Sequence, residues 1–232
     1  MPLPEIIHQA HDMAIQNGGE TDESQFYPLY TLLLSNFFPP VEGYMVAPQY
    51  KKPEHAKSGC PDFTIIFVVK RNYHPVFFVE VKPSGCMRNV SSREQADLQM
   101  RHRFENLFEN VEIDNLYGAS AIGTKICMYK LDKASRQVSP APIASEEWVT
   151  DTAPKDRWNI DIMTPEGEEE CRRVVQQVKE MSLRLCRYYL ILCSRLLLIV
   201  LGFKLEGRLQ STQRVWQKLA EGVRRRRDGG SG

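Results

Sequence analysis

The stretch from Cys60 to Gly85, CPDFTIIFVVKRNYHPVFFVEVKPSG, constrains the fold of this chain more than any other part of the sequence. It contains two runs rich in Phe, Ile and Val, DFTIIFVV and HPVFFVEV, and the turn predicted at Lys70–His74 ends on the first residue of the second run. Runs of this composition form β-strands, and so short a connection joins two antiparallel strands. The stretch therefore predicts a β-hairpin.

Charged side chains stand at the ends of both predicted strands. Asp62 opens the first strand, and Glu80 and Lys82 close the second. Because side chains alternate across a strand, Glu80 and Lys82 share one face. Antiparallel pairing brings the start of one strand beside the end of the next, so we expect Asp62 near Glu80 and Lys82. A slip of one residue in register would turn one carboxylate to the opposite face.

Two carboxylates that meet at the end of a sheet favour a hard divalent cation, Mg²⁺ or Mn²⁺. Such a cation lowers the pKa of a bound water and offsets charge on a phosphoryl oxygen. A neighbouring lysine suits orientation of the nucleophile or stabilisation of the developing charge. The alternative, which the residue types leave open, is an Asp–Lys or Glu–Lys ion pair that closes the sheet and catalyses nothing.

Charge is unevenly distributed along the 232 residues, although the net charge is only +1. Residues 1–50 carry six acids and no Lys or Arg, whereas residues 51–103 carry ten Lys or Arg against five acids. A basic block around the predicted hairpin suits an anionic ligand, but scattered solvated cations give the same count. Residues 1–50 and 104–150 are both net acidic, so the sequence indicates no continuous basic surface for a duplex.

Cysteine and histidine spacing excludes several other classes of site. The six cysteines form no CxxC pair, and the acidic, polar first residues do not resemble a signal peptide. We therefore expect free thiols and an intracellular location, nuclear or cytoplasmic. No HExxH pattern exists, and GASAIGTK fails as a phosphate loop because its lysine comes one residue late and a strand follows.

Periodicity and punctuation predict the remaining elements. In chain order they are a helix over Glu5–Gln16, a helix over Gln25–Phe38 capped by Ser24, a strand at EGYMVAPQY, the hairpin, a helix at SREQADLQMRHRFENLF capped by Ser91 or Ser92, and a fourth strand at ASAIGTKICMYKLD. This order predicts an α/β fold with a mixed sheet. Trp158 is expected to pack against the core.

The C-terminal third predicts a helix from Glu166 to Arg187, followed by an apolar run at residues 188–203. That run has sixteen residues with Arg195 in the middle, fewer than the roughly 20 needed to span a bilayer. It favours a buried or partner-facing helix over a membrane anchor, which stays a weaker alternative. We expect three parts: an α/β domain at 1–165, a helical extension at 166–222 and a basic tail at 223–232.

The residues Pro61-Asp62 and Glu80-Val81-Lys82 resemble the signature of the PD-(D/E)xK, or restriction-endonuclease-like, nuclease superfamily. The predicted order of elements is similar to the α–β–β–β–α–β core of that superfamily, over about residues 20–131. Among its members, the chain looks most like uncharacterised fungal proteins. The resemblance implies that Asp62 and Glu80 bind Mg²⁺ or Mn²⁺ and that Lys82 is the catalytic lysine.

The superfamily often adds an acid on its first core helix and a polar residue on the helix after the lysine strand. The resemblance assigns the first role to Glu23 or Glu20 and the second to Gln95 or Gln99. The alternatives are that the acids only cap a helix and that the glutamines face solvent.

The resemblance implies a metal-dependent nuclease that hydrolyses phosphodiester bonds in nucleic acid, with DNA favoured over RNA. The alternative is an inactive nuclease-fold module that binds nucleic acid or protein. The sequence leaves the oligomeric state open.

Overall fold

The computed structural model describes residues 2–51, 64–144 and 151–200. Side chains are described for these residues except for a few at the segment ends and for residues 186–200, of which only the backbone is described. The chain divides into two compact units, Met1–Leu185 and Cys186–Gly232. The first unit contains the sheet and its core. Of the second unit, only helical backbone is described.

Four α-helices and seven strands are present in these residues, in mixed order. The helices are α1 (Glu5–Gln16), α2 (Tyr27–Phe37), α3 (Val90–Leu107) and α4 (Pro165–Val200). The strands are β1 (Tyr44–Lys51), β2 (Thr64–Arg71), β3 (His74–Lys82), β4 (Asn115–Ile122), β5 (Lys125–Asp132), β6 (Gln137–Ser139) and β7 (Ile160–Asp161). The predicted α/β class is confirmed.

The strands form one mixed sheet. They lie in the order β1-β2-β3-β4-β5-β6, and β7 pairs with β5. The pairing of β3 with β4 is parallel, whereas all other pairings are antiparallel. A parallel pair needs a long crossover connection, and α3 supplies it. Because of this crossover, α3 must lie across one face of β3 and β4.

The predicted hairpin is confirmed as β2 and β3. Its turn is Asn72-Tyr73, with φ angles of 50° and 68°, the left-handed pair of dihedrals that matches the twist of a two-residue hairpin. The register pairs Ile66 with Glu80 and Phe67 with Val79. This register places the beginning of β2 beside the end of β3.

Helices cover both faces of the sheet. On one face, Phe38, which directly follows α2, packs against Phe77 of β3 with ring centroids 5.5 Å apart. On the same face, α4 contacts β4, where the hydroxyl of Tyr117 donates a hydrogen bond to Gln177. On the other face, Phe104 of α3 meets Phe78 edge-on at 4.9 Å. Phe78 and Glu80 lie on the same face of β3 because they are two residues apart. Glu80 therefore faces α3.

Two sequence-based expectations about local structure are wrong. The single fourth strand is two strands, β4 and β5, joined by a turn in which Gly123 has φ +61°, a value that glycine adopts without strain. The helix caps also differ. The Asp22 side chain, not that of Ser24, accepts the hydrogen bond that caps the turn at Glu23–Phe26. Helix α3 begins before Ser91 and Ser92, so neither caps it.

The long C-terminal helix extends beyond the predicted Arg187 to Val200. Its first part joins the core through Cys171, Val174 and Val178, which are almost fully buried. Among the helices of the described residues, none has the length and apolar character that a membrane span requires. Trp158 packs against the core as expected, and its indole donates to the Ser120 hydroxyl at 3.3 Å.

Candidate functional site

Glu80 is a buried carboxylate in the layer between β3 and α3. Its side chain is 2% exposed, and its Oε2 accepts a hydrogen bond from Nε of Arg103 at 3.0 Å. Its Oε1 is also buried but has no hydrogen-bond partner among the described residues. An ionised oxygen that is buried and unpaired is costly, so native structures rarely contain one without a reason.

Lys82 ends β3 two residues after Glu80 and therefore lies on the same face of the strand. It is half-buried. Its backbone carbonyl accepts the amide of Gly123 at 2.9 Å, which ties the end of β3 to the β4–β5 turn. The strand geometry therefore agrees with the prediction that Glu80 and Lys82 share one face of the strand.

Glu23 is brought into the electrostatic neighbourhood of both residues. Burial raises the pKa of the Glu23 carboxyl, and a hydrogen bond from the Tyr27 hydroxyl at 2.7 Å opposes that shift. The charge of Lys82 also lowers the pKa of Glu23, whereas the charge of Glu80 raises it. The acid assigned to the first core helix thus interacts with the two residues at the end of β3. It lies in the turn before α2 rather than in the helix.

The loop before this turn is held against the chain that follows Lys82. The amide of Ser84 donates to the carbonyl of Gly19, and the amide of Gly85 donates to the carbonyl of Glu20, each at 3.0 Å. A Cβ at Gly85 would lie 2.5 Å from that carbonyl oxygen, so only glycine permits this approach. The carboxylate of Glu20 is exposed and pairs with Arg88. The charge of Glu23 interacts with Glu80 and Lys82, whereas the Glu20 carboxylate is engaged by Arg88.

The two glutamines of α3 differ in burial. Gln95 is exposed, whereas Gln99 is half-buried and its Oε1 is buried with no hydrogen-bond partner among the described residues. Phe78 of β3 contacts Phe104 of α3, whereas Glu80, two residues later in β3, contacts Arg103, one residue earlier in α3. Earlier residues of α3 therefore lie toward the Lys82 end of β3. Both glutamines precede Arg103 and lie toward that end, so burial distinguishes them: Gln99 is half-buried and Gln95 is exposed, which favours Gln99 as the polar contributor.

Asp62, the first residue of the motif, lies outside the described residues. Its role as a metal ligand with Glu80 therefore stays a prediction, as does its expected place beside Lys82. Within the described part of the chain, no group of three or more His, Cys, Asp or Glu side chains is arranged to hold a metal ion.

Arg103 is the residue of this site that sequence reasoning missed. It is 7% exposed and lies between the apolar positions Met100 and Phe104 of α3. A charged residue at the border of a buried stripe is a signal that it has a buried partner of opposite charge. Nothing in the sequence identifies that partner as Glu80, because the two residues are 23 positions apart.

The basic block at residues 51–103 has a different explanation in part. Three of its arginines are internal, since Arg93, Arg101 and Arg103 pair with Asp151, Asp97 and Glu80. Their charges are compensated within the protein. Glu80 and Asp97 are already counted among the five acids of the block, so its charge falls below the sequence count only through acids outside it, such as Asp151 with Arg93 and Glu20 with Arg88.

A pocket of about 460 Å³ lies elsewhere, between α2 and α4. Its basic lining residues include Arg173 and Lys179, which form ion pairs with Glu170 and Glu42. None of the residues of the candidate site lines this pocket. The carboxylates of Glu170 and Glu42 balance these two charges, although neither carboxylate lines the pocket.

Comparison of the chain with protein-family models, with curated proteins and with solved structures gave no match.

Proposed function

We propose that this protein is a metal-dependent nuclease with a restriction-endonuclease-like core, and that Glu80 is the centre of its active site. The observation that carries the proposal is the buried Oε1 of Glu80, which has no hydrogen-bond partner among the residues that the structure describes. The electrostatic interactions of Glu23 with both Glu80 and Lys82 support it. So does the order of α2, the strands β1 to β3, α3 and β4, which is the order expected of that core.

The oxygen-rich character of this site fits a hard divalent cation. Glu80 Oε1 is an acceptor without a partner in the described part of the chain, and the charge of the Glu23 carboxylate interacts with that of Glu80. Together with Asp62, whose role is a prediction, these groups would hold Mg²⁺ or Mn²⁺. The bound cation supplies a water of lowered pKa and neutralises charge on the phosphate.

The other side chains of the site would position the substrate and the nucleophile. The half-buried ammonium of Lys82 suits stabilisation of the charge that develops on the phosphate oxygens, or orientation of the attacking water. The buried Oε1 of Gln99 accepts hydrogen bonds only, so it suits a donor such as water. Nucleic acid is the proposed partner, with DNA favoured over RNA.

One observation favours a second candidate, an inactive nuclease-fold module that binds nucleic acid or protein. The Oε2 of Glu80 already has a cationic partner in Arg103. A buried ion pair of this kind can have a purely structural role, without any part in catalysis. The second candidate predicts binding without hydrolysis.

A cleavage assay tests both candidates. Single- and double-stranded DNA and RNA are incubated with the protein and Mg²⁺ or Mn²⁺, with EDTA as the metal control. We expect metal-dependent cleavage that falls about 100-fold or more in Glu80→Gln and in Lys82→Ala. Glu80→Gln keeps the shape of the side chain and an acceptor for Arg103, so it removes the charge with little change in packing.

Two exposed residues provide matched controls, Glu105→Gln on α3 and Lys155→Ala in the loop before β7. Both variants should cleave as the wild type does. Binding of nucleic acid without cleavage, by well-folded protein, would favour the inactive module. Cleavage that survives both Glu80→Gln and Lys82→Ala would contradict the assignment of the site.

A further inference from the structure

The ion pair of Glu80 with Arg103 is unusual because its hydrogen bond engages one of the two carboxylate oxygens. The two side chains are only 2% and 8% exposed. Buried arginine–carboxylate pairs are often bidentate, with two parallel N–H···O bonds. Here a single bond joins Nε to Oε2, and Oε1 has no hydrogen-bond partner among the described residues. The guanidinium thus neutralises the charge of Glu80 but leaves one oxygen available.

This geometry meets two requirements that usually conflict. A buried carboxylate must have a counter-ion if the protein is to fold stably, because an unpaired charge is expensive to bury. A metal ligand must also have an oxygen that no protein donor occupies. Nε of Arg103 meets the first requirement through Oε2, and the unoccupied Oε1 meets the second.

We propose that Arg103 is the internal counter-ion of the Glu80 metal site: it compensates the buried carboxylate while no cation is bound, so that the domain folds without metal. This proposal rests on the proposed function, since it needs a metal to bind at Glu80. Arg103 is a positioning residue in this scheme and not a catalytic one. It acts through Glu80 and holds the carboxylate in a fixed orientation.

The proposal gives a specific expectation about stability. In the wild type, a metal ion adds its charge beside a guanidinium that already neutralises Glu80, so binding stabilises the fold only modestly. Without Arg103, Glu80 is a buried unpaired charge and the metal becomes its counter-ion. The fold of an Arg103→Met variant should therefore depend on the divalent cation.

The other charges near Glu80 do not replace Arg103 in this role. Lys82 is two residues along the same strand, but the hydrogen bond to Glu80 comes from Arg103 alone among the described residues. Glu23 adds a second negative charge to the neighbourhood, which increases the need for a counter-ion. Loss of Arg103 would thus leave the site with an excess of negative charge, and that excess attracts a cation.

The experiment compares thermal unfolding of the full chain in EDTA and in millimolar Mn²⁺ or Mg²⁺. The variants are Arg103→Met, the double variant Glu80→Gln with Arg103→Met, and Arg101→Met. Arg101 is the matched control, because it lies on the same helix and pairs with a different carboxylate, that of Asp97, at 2.9 Å. Calorimetric titration with Mn²⁺ gives the dissociation constants.

We expect Arg103→Met to unfold at a lower temperature than the wild type in EDTA, and Mn²⁺ to restore most of the difference. Its Mn²⁺ affinity should be about tenfold higher than that of the wild type, which corresponds to about 1.4 kcal/mol. Mn²⁺ should not restore Arg101→Met. The double variant, which has no carboxylate at this position, should be more stable in EDTA than Arg103→Met and should respond least to Mn²⁺.

Every other outcome contradicts the proposal in a recognisable way. If Mn²⁺ stabilises the wild type and Arg103→Met equally, a metal site exists but Arg103 is not its counter-ion. If Mn²⁺ changes neither protein, there is no metal site at Glu80, and the proposed function fails as well. If Arg103→Met folds in neither buffer while the double variant folds, metal cannot replace the guanidinium, and the proposal is wrong.

Discussion

Replacement of Arg93 by methionine should destabilise the protein strongly. Arg93 is 1% exposed and belongs to α3, and its guanidinium donates to the carbonyls of Met87 and Ala153 at 2.9 Å each. A third bond goes to the carboxylate of Asp151 at 2.5 Å. This one side chain therefore joins the loop at residues 151–153 to the beginning of α3.

The size of the effect follows from these three bonds. Each hydrogen bond from a charged donor contributes about 1.5–3 kcal/mol. The bond to Asp151 contributes least, because that carboxylate is 35% exposed and water replaces the donor. Methionine recovers the packing of the aliphatic stem but leaves the two carbonyls unpaired. We expect a loss of about 3–5 kcal/mol, a large fraction of the roughly 5–15 kcal/mol that stabilises a typical domain.

Urea unfolding followed by circular dichroism measures this loss. Arg173→Met is the control, because Arg173 is exposed and its ion pair is with Glu170 on the same helix; the unfolding midpoint of this variant should not move. Asp151→Asn should cost about 1 kcal/mol or less, since it keeps an acceptor for Arg93. A loss below about 1 kcal/mol for Arg93→Met would refute the reasoning that this arginine braces the loop against α3.

Three further properties can be measured on the same protein. Gly118→Ala should cost about 1–3 kcal/mol in urea unfolding, because its Cβ would lie 2.5 Å from the ring of Phe78; an unchanged midpoint would show that the ring moves freely. Burial raises the pKa of Cys127 to about 11 and that of Cys171 to about 12. At pH 8, iodoacetamide should therefore modify the half-buried Cys86 but neither Cys127 nor Cys171, and peptide mass spectrometry measures this labelling. Because these thiols ionise near pH 9 when unfolded, the unfolded state binds fewer protons above that pH, and the free energy of unfolding should fall as the pH rises from 9 toward 11. Equal labelling of all three thiols would contradict the burial on which both expectations depend.

The parts of the fold that the sequence predicts are those with a strong local pattern. Helix α1 and the β2–β3 hairpin have clear apolar periods and clear breaks. The β4–β5 hairpin lacks this pattern because β4 is built from small residues, NLYGASAI. The reason is tertiary, since Gly118 must fit under Phe78 and Met100. A strand selected for close packing therefore loses the β-branched composition by which strands are recognised.

The candidate site divides in the same way. Glu80 and Lys82 are visible in the sequence because each interrupts an apolar strand. The choice of Gln99 over Gln95 needed the burial of the two side chains, which depends on how α3 packs on the sheet. The partner of Glu80 was not predictable, because it depends on how the crossover helix lies on the sheet. Local sequence patterns thus identify charged residues that interrupt apolar elements, but they do not identify the residues that these side chains contact in the fold.

The parallel pairing of β3 with β4 has a consequence for the order in which the chain folds. Strands β1 to β3 form a local meander, and β4 with β5 forms a local hairpin, whereas β3 meets β4 only after α3 has crossed the sheet. Contacts that close long loops generally form late. During synthesis, Glu80 emerges 23 residues before Arg103, so its charge must stay hydrated until the helix arrives. The step that joins the two halves of the sheet is thus also the step that buries the candidate active site.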